Sequence, residues 1–220
     1  SRAMQAFQVF KVALDAHGGL IPRLIATSAV RDAKYASAFI SSINKSFNWE
    51  VEVISGLEEA KLIFKGVSLC HDFQSPAVIM DIGGGSTELI IGEDLTPIKL
   101  ESTQLGCVSM SERSFAGGKL SPKRFLRARV AARGELEPIE DAYRRVGWLQ
   151  AVGSSGSVKS VGDAIRELDP RASAITPEGL EAVIEIMLAA SHVRDIALAS
   201  LTDERRSVFA GGLAILAEIF

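Results

Sequence analysis

Asp81-Ile82-Gly83-Gly84-Gly85-Ser86-Thr87-Glu88 lies between two apolar runs, Ala77-Val78-Ile79-Met80 before it and Leu89-Ile90-Ile91 after it. Two short apolar runs separated by a glycine cluster predict a β-hairpin with a tight turn that carries almost no side chain. Such a turn lets backbone N–H groups converge on one concavity and lets an anion approach closely. A carboxylate stands at each end of it, Asp81 and Glu88. Amide donors flanked by two carboxylates suit a phosphate held together with a hard cation such as Mg²⁺. An ordinary glycine hairpin with a solvated Asp81, and with Glu88 facing solvent, is the plain alternative.

Outward from the hairpin the pattern alternates. Met4, Phe7, Phe10 and Leu14 share one helical face that ends at Gly18-Gly19. Leu24-Ile25-Ala26 reads as a strand, 29–47 as helical with Ala36, Phe39, Ile40 and Ile43 inward, and Val51-Glu52-Val53-Ile54 as a second strand. Ser55-Gly56 then opens a helix carrying Glu58, Glu59, Leu62 and Ile63. Helix–strand alternation of this kind implies an α/β layer with parallel strands. Past the hairpin, Ile98 to Ser102 continues a meander. Ser121-Pro122 and Thr176-Pro177 start helices, Leu149 to Val152 is a strand, and Glu204 to Phe220 is helical. Residues 1–68 and 69–220 are expected to form two domains.

Composition sets the outer bounds. The 220 residues are 47% hydrophobic and 23% charged, a globular balance. With a net charge of −3, an anionic substrate must be held by local features rather than by the field of the whole protein. The two cysteines, Cys70 and Cys107, suit neither a disulfide framework nor a metal site. Ser1-Arg2-Ala3-Met4 shows no secretory pattern, and no apolar run reaches membrane-spanning length. A cytoplasmic protein with no nucleic-acid partner and no membrane span is expected.

Several motifs stand in an order that resembles a known family. Ile25-Ala26-Thr27-Ser28-Ala29-Val30-Arg31, Val53-Ile54-Ser55-Gly56-Leu57-Glu58-Glu59-Ala60, and Asp81 to Glu88 are similar to the exopolyphosphatase / guanosine pentaphosphate phosphohydrolase family. So are Leu105-Gly106-Cys107-Val108-Ser109, Gly153-Ser154-Ser155-Gly156-Ser157 and Gly211-Gly212-Leu213-Ala214-Ile215-Leu216. The resemblance covers essentially the whole chain and is nearest to bacterial exopolyphosphatase. It implies the actin-like, ribonuclease-H-like α/β fold shared by sugar kinases, the 70-kDa heat-shock chaperones and actin. It also implies Mg²⁺-dependent, processive removal of terminal phosphate from inorganic polyphosphate, or hydrolysis of guanosine pentaphosphate. The family's first phosphate hairpin, its last strand and its last helix have no counterpart in the sequence. A fold truncated at both ends is therefore expected, a non-catalytic fragment in which the chain alone hydrolyses little. The exposed apolar edge would favour self-association, and a homodimer is expected.

The resemblance also assigns roles. It makes Glu59 the base that activates water, where the sequence alone reads an acid favoured by the dipole of a helix's first turn. Arg31 becomes a phosphate clamp, where the alternative is a surface ion pair with Asp32 or Asp15. Asp81 and Glu88 hold the metal, and Gly83, Gly84, Gly85 and Ser86 hold phosphate. Gly153, Ser154, Ser155, Gly156 and Ser157 place a helix N-terminus over a further phosphate; a plain capped turn is the alternative. The basic run Lys119, Lys123, Arg124, Arg127, Arg129 and Arg133 reads as a solvated helix face rather than a polyanion track.

Overall fold

A computed structural model describes residues 2–18, 20–71, 73 and 75–220. By contacts the chain divides into two compact units, Ser1–Ser55 and Gly56–Phe220.

The first unit contains α1 (Arg2–Ala16), β1 (Leu24–Ala26), α2 (Ser28–Arg31), α3 (Ala36–Phe47) and β2 (Val51–Val53). The strands pair in parallel, Leu24 with Val51 and Ala26 with Val53. The helical stretch read over 29–47 is in fact two helices, separated by an exposed bend at residues 32–35. Phe7 joins α1 to Phe39, Phe47 and Trp49 at ring-centroid distances of 5.9–6.3 Å. Ile43 is buried beneath them. Phe10, on the same face of α1 as Phe7, is not buried. It lines the wall of an open apolar hollow and stays 60% exposed, because α1 packs mainly through Phe7.

The second unit starts with α4 (Gly56–Ser68). Its sheet has the order β5-β4-β3-β6, with β3 (Ala77–Ile82), β4 (Thr87–Glu93), β5 (Thr96–Thr103) and β6 (Gln150–Gly153). The β3–β4–β5 meander is antiparallel, and β6 returns beside β3 in parallel register, Met80 with Gly153. Alternation of side chains along β3 assigns its two faces. Ala77 and Ile79, with Ile90 of β4, pack on Ala60 and Phe64 of α4. Val78, Met80 and Ile82, with Leu89 and Ile91, face the larger core. That core is built from α5 (Cys107–Ser114), α6 (Pro122–Val146), α7 (Gly156–Leu168), α8 (Pro177–Ala189) and α9 (Asp203–Ile219).

Two glycine contacts hold the layers at close range. A Cβ on Gly92 would overlap the ring of Phe64, so α4 lies directly on β4 where its register with β5 slips. Burying Phe64 there contributes on the order of 2 kcal/mol. A Cβ on Gly211 would overlap the Cys107 carbonyl, so α9 crosses α5 nearly backbone to backbone. The 68/69 division read from the sequence separates α4 from this sheet, whereas in the structure α4 packs on it. Ser121, Ser155, Thr176 and Thr202 cap α6, α7, α8 and α9 by accepting from a first-turn N–H. Among the described residues, no helix is long and apolar enough to cross a membrane.

Candidate active site

The glycine turn is shaped by the helix behind it. Gly83 N–H donates to the Ser86 carbonyl at 2.9 Å and closes the hairpin. The carbonyl of Gly83 accepts from Cys107 N–H at 2.9 Å, and that of Gly84 accepts from Val108 and Ser109 at 3.0 and 3.2 Å. These are first-turn amides of α5, so the hairpin carbonyls satisfy donors that a helix start leaves open. A trans peptide sets its N–H opposite its C=O, and no peptide here is cis. With the Gly83 and Gly84 carbonyls turned toward α5, the N–H groups of Gly84 and Gly85 therefore point to the opposite, open side. Two successive amides directed one way form the kind of concavity that binds an anion.

Glycine is needed here for closeness rather than for a special backbone angle. Among the described residues the glycines with positive φ are Gly18, Gly117, Gly118 and Gly147, none of them in this turn. The critical position is Gly106, where a Cβ would overlap the Gly84 carbonyl and the Gly85 Cα. Gly106→Ala is expected to push α5 off the hairpin and to cost about 1–3 kcal/mol, the usual range for overpacking. Thermal unfolding checks this through a fall in Tm of several degrees; an unchanged Tm would mean that the approach is not tight.

Parallel pairing brings the end of β6 beside the end of β3, at the carboxyl ends of both strands, where open α/β sheets bind ligands. Ser154 Oγ donates to Asp81 Oδ2 at 2.5 Å. Ser155 Oγ accepts from Ile82 N–H at 3.2 Å and from Val158 N–H at 3.5 Å, so one hydroxyl caps α7 and ties it to β3. Ser157 Oγ donates to the Ile82 carbonyl at 3.2 Å and is buried. A Cβ on Gly153 would overlap the Val158 side chain. All three serine hydroxyls thus bind the β3 end. What the loop presents outward is the first turn of α7, with its amides and its positive dipole end.

The acids collect on one face. Asp81 and Glu88 are direct register partners, and they lie on the same face as Ile79 and Ile90, toward α4. Glu59 stands half-buried in the first turn of α4. Glu88 is 1% exposed, which overturns the solvent-facing alternative. Ser102 Oγ donates to its Oε1 at 2.8 Å, and Ser86 also hydrogen-bonds to it. Burial holds the Glu88 carboxyl above the ordinary carboxylate range, with the charges of Glu59 and Asp81 adding to the effect and the two serine hydrogen bonds opposing it. Among the described residues, no group of three or more His, Cys, Asp or Glu could hold a metal by itself. The hard oxygen donors of Asp81 and Glu88 do suit a cation that takes one or two carboxylates and completes its shell with water and substrate oxygens.

The raised Glu88 value has a signed consequence in metal-free protein. The folded state holds this proton more tightly than the unfolded chain does. The group's stabilising contribution is therefore complete below its ordinary 4.5 and is lost as pH rises through the raised folded value. Glu88→Gln removes that dependence. In chelator-treated protein, its Tm relative to the parent is expected to improve steadily from about pH 4 to about pH 8. A flat difference across that range would show that burial does not govern Glu88.

The other sequence candidates fall as follows. Arg31 belongs to the first unit, where Nη1 donates to the Ile54 carbonyl at 2.9 Å and Nε lies 3.7 Å from Asp32. Glu58 lies 3.9 Å from Lys61 on the exposed side of α4. On α6, Arg124 donates to the Ser114 carbonyl, Arg129 pairs with Glu218 and Arg133 with Glu140, as a structural helix face would. Cys107 is buried. Sequence reasoning missed α5 as a helix and the place of Ser102. The serine could have been found only from the register of β5 on β4.

The chain belongs to the Ppx/GppA phosphatase family, a family of hydrolases whose profile matches residues 1–220. A Haemophilus influenzae protein provisionally named an exopolyphosphatase is 40% identical over 198 residues, 90% of this chain and 61% of its own length. A guanosine-5'-triphosphate,3'-diphosphate pyrophosphatase of Aeromonas hydrophila is 36% identical over 90% of this chain and 40% of its own length. Among solved structures, an exopolyphosphatase from Cytophaga hutchinsonii superposes with a TM-score of 0.87 at 25% identity, over 100% of this chain and 73% of the other. The Aquifex aeolicus family member superposes with a TM-score of 0.76 at 20% identity, over 99% of this chain and 72% of its own. The fold is thus the actin-like α/β fold of these phosphatases. The chain spans about 61% and 40% of the lengths of the two relatives named.

Proposed function

We propose that the protein hydrolyses the terminal phosphoanhydride bond of inorganic polyphosphate, with Mg²⁺ as cofactor. The observation that carries this reading is the pair of outward amides at Gly84 and Gly85, set beside the α7 N-terminus with Asp81 at the junction. Phosphoryl transfer asks a protein mainly for positioning and charge neutralisation. The hairpin amides, with Gly83 and Ser86 shaping the turn, hold phosphate oxygens, and the first turn of α7 holds more of the chain. Glu59 takes the proton from the attacking water, a role supported by its half-buried place in the first turn of α4, where its charge acts on Glu88. Arg31 contacts phosphate. Mg²⁺ bound by Asp81 and Glu88 would supply neutralisation of the charge on the transferring group.

Hydrolysis of guanosine pentaphosphate is the second reading, favoured by the 36% identity to a relative so named. Both substrates end in a phosphoanhydride, and the hairpin is suited to either. Phosphate release by the whole protein from long-chain polyphosphate, guanosine pentaphosphate and ATP, with and without Mg²⁺, tests the proposal. Release from polyphosphate well above the other two supports it. Preference for guanosine pentaphosphate selects the second reading, and release from ATP alone rejects both. The free thiols of Cys70 and Cys107 fit a reducing cytoplasm. Light scattering tests the proposed homodimer.

A further inference from the structure

Three polar side chains stand in a row across the sheet, on the face toward α4. Asp81 of β3 is the register partner of Glu88 of β4, and Glu88 is the register partner of Ser102 of β5. Residues directly opposite one another share a face. Ser102 Oγ donates to Glu88 Oε1 at 2.8 Å. The hydrolysis scheme gives Asp81 and Glu88 to Mg²⁺ and assigns Ser102 no part.

An irregularity in the ladder puts Ser102 there. Near the turn, β4 and β5 pair Glu93 with Thr96 and Gly92 with Pro97. Continued without interruption, that ladder would set Glu101 opposite Glu88. Instead the register slips between Ile91 and Gly92, so that Lys99 comes opposite Ile91 and Ile98 is passed over. A slip of one residue exchanges the faces of all the side chains beyond it. Glu101 therefore lies opposite Leu89 on the other face of the sheet, 3.4 Å from Lys99, and Ser102 takes the place beside Glu88. Two carboxylates directly opposite would repel one another. Bulges beside active sites commonly re-aim a side chain in this way.

The chemistry of the partner matters as much as its place. Elsewhere in this unit Glu140, Asp163 and Glu218 are met by arginine or lysine. Glu88 is 1% exposed, and among the described residues its side-chain hydrogen bonds come from the hydroxyls of Ser102 and Ser86, with no ion pair. A cationic partner would fix the carboxylate but cancel the charge that a divalent ion needs. A serine hydroxyl fixes it without adding charge, and a carboxylate oxygen that accepts one hydrogen bond keeps a second lone pair for a cation.

We infer that Ser102 is a positioning residue for the metal site, holding the Glu88 carboxylate in the orientation that binds Mg²⁺, and that the register slip of β5 is what delivers its hydroxyl. The inference rests on the proposed metal role of Asp81 and Glu88.

Mn²⁺ serves as the probe, an ion suited to the same oxygen ligands as Mg²⁺. Its free form is counted by electron paramagnetic resonance in titrations of the whole protein, with inorganic phosphate present to complete the shell, so that binding and not turnover is read. Ser102→Ala is expected to weaken Mn²⁺ binding about 10-fold or more, the scale for loss of an outer-shell partner. Ser102→Cys keeps nearly the same shape with a weak donor and should weaken binding similarly. It carries the test should Ser102→Ala lose its native circular dichroism. Ser102→Thr returns a hydroxyl on a residue suited to a strand and should bind Mn²⁺ nearly as the parent does. Parent-like affinity in Ser102→Ala and Ser102→Cys, whatever their Tm, makes Ser102 structural; it overturns the inference and leaves the metal reading intact. Weakening in Ser102→Thr as large as in Ser102→Ala shows that the hydroxyl is not what matters and also overturns it. Mn²⁺ affinity unchanged by Glu88→Gln defeats the metal reading of Glu88 and the inference with it.

Discussion

Glu59→Gln in the whole protein should lower kcat for polyphosphate by about 100-fold or more while leaving substrate affinity nearly unchanged. The substitution preserves size and removes only the capacity to accept a proton. Glu59 occupies the first turn of α4, one residue before the buried Ala60, and α4 is pinned to the sheet by Phe64 against Gly92. Its carboxylate is therefore carried on a rigid element, not on a mobile loop. Its charge is felt at Glu88, so the two acids share one electrostatic neighbourhood. A base in that setting acts in the transition state and contributes little to ground-state binding, which is why the loss should appear in kcat. A variant with near-normal kcat would remove Glu59 from the chemistry. A raised KM at unchanged kcat would recast it as a binding group.

Asp81→Asn should raise the Mg²⁺ concentration needed for half-maximal rate by about 10-fold or more, because a neutral amide is a poor ligand for a hard cation. The amide oxygen can still accept from Ser154 Oγ, so the contact between the β3 end and the α7 loop survives and the change isolates charge. Ser154→Ala provides the complementary case. It keeps the carboxylate and removes the hydroxyl that orients it, and a smaller shift in the same direction is expected. The rate as a function of Mg²⁺ concentration decides between outcomes. An unchanged midpoint and maximum in Asp81→Asn would take metal binding away from this residue. A loss of Tm equal in both variants would point to the Asp81–Ser154 bond as structural.

The hairpin was legible because its signals are local. Alternation of apolar residues on β3 and β4, and glycines between them, depend only on neighbours in the chain. The proline and serine or threonine starts of α6 and α8 are local in the same way, and both helices begin where Ser121-Pro122 and Thr176-Pro177 place them. The 29–47 stretch was misread as one helix because helical periodicity carries across the bend at residues 32–35. Phe10 shares a face with Phe7 yet stays exposed, because the period of a helix identifies a face and does not tell how wide a face its neighbours cover. Helix α5 escaped because Cys107-Val108-Ser109-Met110-Ser111 is short and weakly patterned. Its N-terminus is held by the carbonyls of Gly83 and Gly84, more than twenty positions earlier in the chain.

By itself the sequence determined the α/β class, the glycine hairpin, the acids at its two ends and the helix starts marked by serine or threonine and proline. Each of these rests on residue order within a few positions. Tertiary structure alone decided how those parts bear on one another. The register of β3 on β4 set Glu88 opposite Asp81 and buried it, and the register of β5 brought Ser102 to its oxygen. Parallel return of β6 set Ser154 on Asp81, and the crossing of α9 laid Arg205 on Gly156. Burial and electrostatic coupling depend on distances between residues far apart in the chain, and those distances exist only once the sheet and its covering helices have packed.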